Sequence, residues 1–144
     1  MSSRKARVLI VEDRAADVRL TKRALKKAGY DVEIDVATNG REALDRLTHV
    51  NGFAGSQPPD LVLLDWMMPL VNGEEVLAEM REDARLRRMP VVVLTTSASE
   101  GDVITAYDKG CNAYLTKPVD PSEFQQTVEA LGLFWLQKAV LPSK

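Results

Sequence analysis

The sequence predicts an α/β domain in which a parallel sheet carries helices on both faces. Apolar runs rich in Val and Leu recur along the chain, in ARVLIVED, DLVLLD, PVVVLTT and AYLTKP. Such runs are typical of parallel strands buried on both sides. Helix-like segments separate them, and alternating β and α elements imply right-handed crossovers within one sheet. Each run also ends in polar residues, and open parallel sheets bind ligands beyond the carboxyl ends of their strands.

The first strand is expected at about 6–12. A helix near 15–28 follows, with Val18, Leu20, Ala24, Leu25 and Ala28 as apolar positions and Gly29 placed to stop it. The second strand, about 32–37, alternates Val32, Ile34 and Val36 with Asp31, Glu33 and Asp35, as a strand with one wetter face does. A helix near 40–50 carries Ala43, Leu44 and Leu47. The segment 51–59, NGFAGSQPP, holds two Gly and two Pro and reads as a loop. Strand three is expected at about 60–65 with a helix near 73–83, and strand four at about 90–95 with a helix near 99–110 ending at Gly110. Strand five falls at about 113–116, and the last helix begins near Pro121, where a first-turn proline is tolerated. No repeat, low-complexity tract or linker interrupts the pattern, and about two residues at each end are expected to be disordered.

At 144 residues the chain has room for one ordinary domain with a full core. A net charge of −2 lacks the basic footprint of a nucleic-acid binder. No apolar stretch approaches the roughly 20 residues that span a membrane. The N-terminal apolar run ends in two acids, unlike a signal peptide. The single cysteine, Cys111, excludes an internal disulfide and fits a reducing compartment. These features read as a small cytoplasmic domain.

The strand ends bring together Glu12 and Asp13, Asp65, Thr95 and Lys117. Singly, each has an ordinary use: Asp65 can cap a loop, Asp13 a helix, and Thr95 favours a strand. Jointly they demand more. Two unit charges about 4 Å apart interact by roughly 4 kcal/mol at an effective dielectric of about 20, so three carboxylates need compensation. A hard divalent cation supplies it, and Mg²⁺ prefers a few carboxylates with water and phosphate oxygens. An Asp nucleophile beside Mg²⁺ and Lys points to phosphoryl transfer through an aspartyl phosphate. Zinc-ligand spacing, G-x-S-x-G and the P-loop motif are all missing from the sequence. The only histidine, His49, falls in a helix-to-loop region and reads as a surface residue.

Together, VLIVED at 8–13, LVLLDWMMPLVNG at 61–73, VVVLTT at 91–96 and AYLTKP at 113–118 resemble the receiver domain of bacterial two-component response regulators. The spacings fit too, with 30 residues from Asp65 to Thr95 and 22 from Thr95 to Lys117. The resemblance implies a flavodoxin-like (βα)5 fold with a parallel sheet of order 2-1-3-4-5. It implies one receiver domain over 4–142 without an effector domain, whose only reactions are its own phosphorylation and dephosphorylation. Asp65 would accept phosphate from a sensor histidine kinase, while Glu12, Asp13, Asp65 and the Met67 carbonyl hold Mg²⁺. Lys117 would contact the phosphate, Thr95 would donate to it and reorient, and Tyr114 would follow as an aromatic switch. The Lys117–Pro118 bond is commonly cis in this family.

A narrower resemblance, to single-domain regulators paired with bacterial phytochromes, rests on the loop 51–59, LTTS at 94–97 and FWLQKAVLP at 134–142. It implies a red-light-sensing kinase as partner. Met67 and Thr96 depart from the commonest receiver residues, which leads to the expectation that they screen the phosphoryl group from water. The output is expected to be an unknown downstream protein; a phosphorelay intermediate serving a histidine phosphotransfer protein is the alternative. A haloacid-dehalogenase-type hydrolase would need an acid where Met67 stands, and the acidic cluster would repel the phosphate of FMN. In the last helix, Phe124, Val128, Leu131 and Trp135 follow helical spacing toward the sheet. Leu133, Phe134, Val140 and Leu141 exceed one core stripe. Either they pack the end of the domain, or they form a homodimer interface of Val103, Tyr107, Phe134, Trp135 and Leu141, near Tyr114.

Overall fold

The computed structural model describes residues 5–142. The order is β1 (Ala6–Val11), α1 (Ala15–Lys27), β2 (Val32–Ala37), α2 (Gly40–Thr48), β3 (Leu61–Leu64), α3 (Gly73–Glu82), β4 (Val91–Thr95), α4 (Glu100–Lys109), β5 (Ala113–Thr116) and α5 (Pro121–Gly132). The strands form one sheet of order β2-β1-β3-β4-β5, every neighbouring pair parallel. The flavodoxin-like fold expected from the sequence is thus the fold observed. The expected boundary at residue 4 and the terminal pairs expected to be disordered lie outside the described residues.

Alternation along each strand divides the core between the two faces. Leu9, Val11, Val62, Leu64, Val91 and Val93 pack with Leu44, Leu47, Val76, Leu77 and Met80 of α2 and α3. Val8, Ile10, Leu61, Leu63 and Val92 face the opposite way, toward Val18 of α1 and Leu131 of α5. Ala24 and Leu25 join Leu94, Phe124 and Val128 on that same side. Each fully buried Leu or Val contributes about 1.5–3 kcal/mol relative to exposure. These layers hold the strand ends that carry the polar residues.

Several details differ from the sequence expectation. Leu20 lies on the edge of the buried stripe of α1 and is 36% exposed. Helix α2 stops at Thr48 because His49 turns left-handed at φ 60°. His49 is half-buried, and its Nδ1 lies 3.3 Å from Ser56 Oγ in the following loop, a fold-back that residue type alone does not signal. Helix α5 runs on into a π-helical segment, Leu133–Lys138. A Cβ on Gly132 would lie 2.2 Å from the Tyr30 ring, whose hydroxyl donates to the Glu129 carbonyl at 2.8 Å. That close packing ties the end of α5 to the segment that follows α1. Among the described residues no helix is long and apolar enough to cross a membrane.

Candidate functional site

Glu12 and Asp65 stand one residue past β1 and β3, yet their backbones remain tied to the sheet. Glu12 N–H donates to Ala37 O at 2.9 Å and Asp65 N–H to Val11 O at 3.0 Å. Lys117 N–H donates to Thr95 O at 2.7 Å, fixing the exit from β5 against the end of β4. The strand ends therefore present these side chains on rigid supports. Helix α3 starts against the same loop, with an Asn72–Glu75 capping box. A Cβ on Gly73 would lie 2.5 Å from the Asp65 carbonyl oxygen, so only glycine allows this approach.

The Lys117 ammonium sits among carboxylates. It donates to Glu12 Oε1, to Asp17 Oδ2 at 3.0 Å and to Asp65 Oδ2 at 3.2 Å. Glu12 Oε2 accepts from Arg14 N–H at 3.1 Å, and Asp65 Oδ1 from Met67 N–H at 3.2 Å. Glu12, Asp65 and Thr95 are buried, Asp13 is exposed and Met67 is 61% exposed. A cleft of about 450 Å³ opens beside them, lined by Asp13, Trp66, Met67, Asn72, Glu74 and Asp102.

One carboxylate oxygen from each of Glu12, Asp13 and Asp65 lies within 4.8 Å of the others. This all-oxygen donor set, open to a cleft, fits a hard divalent cation. Charge balance points the same way. Burial pushes the Glu12 carboxyl up to about 7; the Lys117 hydrogen bond opposes this and the Asp65 charge adds to it. Burial pulls the Lys117 ammonium down, but Glu12, Asp17 and Asp65 outweigh that and hold it above its ordinary range.

The folded state holds the Glu12 proton more tightly than the unfolded chain does, so without a divalent cation stability falls as pH rises from 4.5 to about 7. A cation must displace that proton. Affinity for Mg²⁺ is therefore expected to rise about tenfold between pH 6 and pH 8 and to lose most of that dependence in Glu12→Gln, which calorimetric titration would measure.

Tyr114 is half-buried, and its hydroxyl donates to the Ser97 carbonyl at 2.8 Å. Ser97 Oγ in turn donates to Asp102 Oδ2 at 2.5 Å, and Ser97 N–H approaches Thr95 Oγ1 at 3.5 Å. Thr95 and Tyr114 thus meet through the β4–α4 loop. The Lys117–Pro118 bond is trans, contrary to the expectation, and trans is the lower-energy isomer of an X–Pro bond. Sequence reading missed Asp17, Ser97, Glu74 and Asp102. Asp17 lies in the first turn of α1, where an acid has an ordinary role at the helix N-terminus, so its residue type gave no separate signal.

The proposed interface residues are distributed unevenly. Tyr107 is 51% and Phe134 56% exposed, whereas Val103, Trp135 and Leu141 are half-buried. Phe134 and Trp135 form an edge-to-face pair with centroids 5.1 Å apart. Trp135 also packs against the second core cluster. Ile104, absent from the sequence-based set, is 53% exposed on α4.

The model of the response regulator receiver domain matches residues 8–129. Response regulator Rcp1 of Synechocystis sp. is 40% identical over 136 residues, spanning 94% of this chain and 92% of that protein. The Mn²⁺-bound structure of Rcp1 aligns with a TM-score of 0.91 at 39% identity, covering 96% of this chain and 99% of that one. The phosphorylated cyanobacterial phytochrome response regulator RcpA aligns with a TM-score of 0.93 at 40% identity, covering 97% of this chain and 100% of that one. The bacteriophytochrome response regulator AtBRR gives a TM-score of 0.75 at 38% identity, covering 98% of this chain and 100% of that one. Strand order, strand-end residues and family match all coincide over one stretch of sequence, and the chain belongs to the response regulator receiver domain family, where it is similar to phytochrome and bacteriophytochrome response regulators.

Proposed function

We propose that this protein is a phosphorylation-dependent signalling switch in which Asp65 accepts a phosphoryl group from a phytochrome-type sensor histidine kinase. The carrying observation is the Asp65 carboxylate, buried at the end of β3 with the Lys117 ammonium 3.2 Å away and two further acids within metal-sharing distance. An Asp65 oxygen attacks phosphorus, the new P–O bond replaces the P–N bond to the kinase histidine, and the imidazole leaves with the bonding electron pair. Lys117 holds the phosphoryl oxygens by charge, and Thr95 Oγ1 turns to donate to them. Glu12, Asp13, Asp65 and the Met67 carbonyl are the residues that would hold Mg²⁺. When bound, Mg²⁺ neutralises charge on the transferring group. The related structure bound to Mn²⁺ supports this ligand class. Incubation with a phytochrome-type kinase and labelled ATP tests the reading; absence of transfer under both red and far-red light would reject the partner.

The protein turns over only its own phosphoryl group, acts in the cytoplasm and passes its signal to a downstream protein. Movement of Thr95 releases its neighbour Ser97 and with it the Tyr114 hydroxyl, a shift between two populations of the β4–α4 loop. Met67, at the mouth of the cleft, shields the acyl phosphate. Met67→Asn is expected to shorten its half-life about threefold or more, measured by decay of label; an unchanged half-life would remove Met67 from the account. The exposed Tyr107 and Phe134, with Val103, Trp135 and Leu141, form a homodimer face. Sedimentation should then show a lower mass for Phe134→Asp than for wild type, whereas equal monomeric masses would reject the dimer.

A further inference from the structure

Two groups of carboxylates overlap in this pocket. The group with metal-sharing distances is Glu12, Asp13 and Asp65. The group around the Lys117 ammonium is Glu12, Asp17 and Asp65. A divalent cation and the ammonium therefore draw on the same two acids, and Asp17 alone belongs only to the lysine. The lysine cannot compensate by moving into water, since its side chain is 6% exposed and its backbone is held on Thr95. Asp17 is firmly mounted in the first turn of α1, where its backbone carbonyl accepts from Thr21 Oγ1 at 2.9 Å.

We propose that Asp17 is a positioning residue for phosphoryl transfer, the counter-ion that keeps Lys117 over the pocket when a divalent cation takes Glu12. The proposal rests on the reading of Asp65 as phosphoacceptor in a Mg²⁺ pocket. Before cation binding, Glu12, Asp17 and Asp65 all accept from the ammonium. As Glu12 turns to the cation, Lys117 would be left underpaired in a buried position, a costly arrangement. Asp17, 3.0 Å from Nζ, removes that cost and holds the ammonium where incoming phosphoryl oxygens need it. Asp17 thus raises affinity for a cation that it does not ligate, and it does so through Lys117.

This differs from a general attraction between Asp17 and a nearby cation, which would not need the lysine. A double-mutant cycle separates the two. Mg²⁺ binding is titrated calorimetrically in wild type, Asp17→Asn, Asp17→Glu, Lys117→Met and the Asp17→Asn/Lys117→Met pair. The bond from Thr21 to the Asp17 carbonyl survives substitution of the side chain, and circular dichroism confirms the helix. Asp17→Asn is expected to weaken Mg²⁺ binding about three- to tenfold, and Asp17→Glu to restore it. In the Lys117→Met background, Asp17→Asn should change affinity by less than about twofold. Wild-type affinity in Asp17→Asn, or equal weakening with and without Lys117, would overturn the role of Asp17 while leaving the Mg²⁺ pocket intact. Lack of saturable Mg²⁺ binding by wild type would overturn both.

Discussion

Asp65→Asn is expected to lower phosphorylation by at least about a hundredfold, to the limit of detection in a labelled transfer assay. The amide is a poor nucleophile, and the substitution also removes the charge of one of the three carboxylates available to a cation. The fold should survive, because the Asp65 backbone is held by its bond to Val11 O and not by the side chain. Removing one of several crowded acids also relieves repulsion, so the melting temperature is expected to stay level or rise. Wild-type labelling of this variant would place the phosphoacceptor elsewhere.

Lys117→Gln is expected to slow phosphorylation by about 10²–10³-fold, in line with loss of one preorganised charge at a developing anion. Its effect on stability should be opposite to that of Asp65→Asn. With the ammonium gone, Glu12, Asp17 and Asp65 lose their shared cation, and breaking a buried ion pair costs about 3 kcal/mol. Denaturation at pH 8 measures this loss, and saturating Mg²⁺ should recover part of it by neutralising Glu12 and Asp65. Wild-type phosphorylation rates in this variant would remove Lys117 from the mechanism. The two variants are thus expected to be separable, Asp65→Asn affecting chemistry with little effect on the fold and Lys117→Gln affecting both.

The fold was legible because each strand carries a strong local signal. LVLL of β3 is apolar throughout and buried on both faces, and β2 alternates because it is the edge strand. The meeting of polar side chains at the strand ends was legible for the same reason, since Glu12, Asp65, Thr95 and Lys117 each end such a run. Asp17 was not, because an acid in the first turn of a helix ordinarily answers the helix dipole. Only its proximity to Lys117, 100 residues away in sequence, reveals its partner. The Ser97–Asp102 link is similarly ambiguous, since Ser and Asp both suit a helix start. At the C-terminus, apolar content alone could not divide Trp135, half-buried on the core, from the exposed Phe134 beside it. Helical periodicity also shifts there, where α5 widens into the π-helical segment.

Borohydride reduction of the kinase-treated protein converts an aspartyl phosphate to homoserine, which peptide mass spectrometry can locate. The expected result is homoserine at position 65, formed in the presence of Mg²⁺ and absent from Asp65→Asn. Homoserine at Asp13 or another aspartate, or label that resists borohydride, would contradict phosphorylation of Asp65.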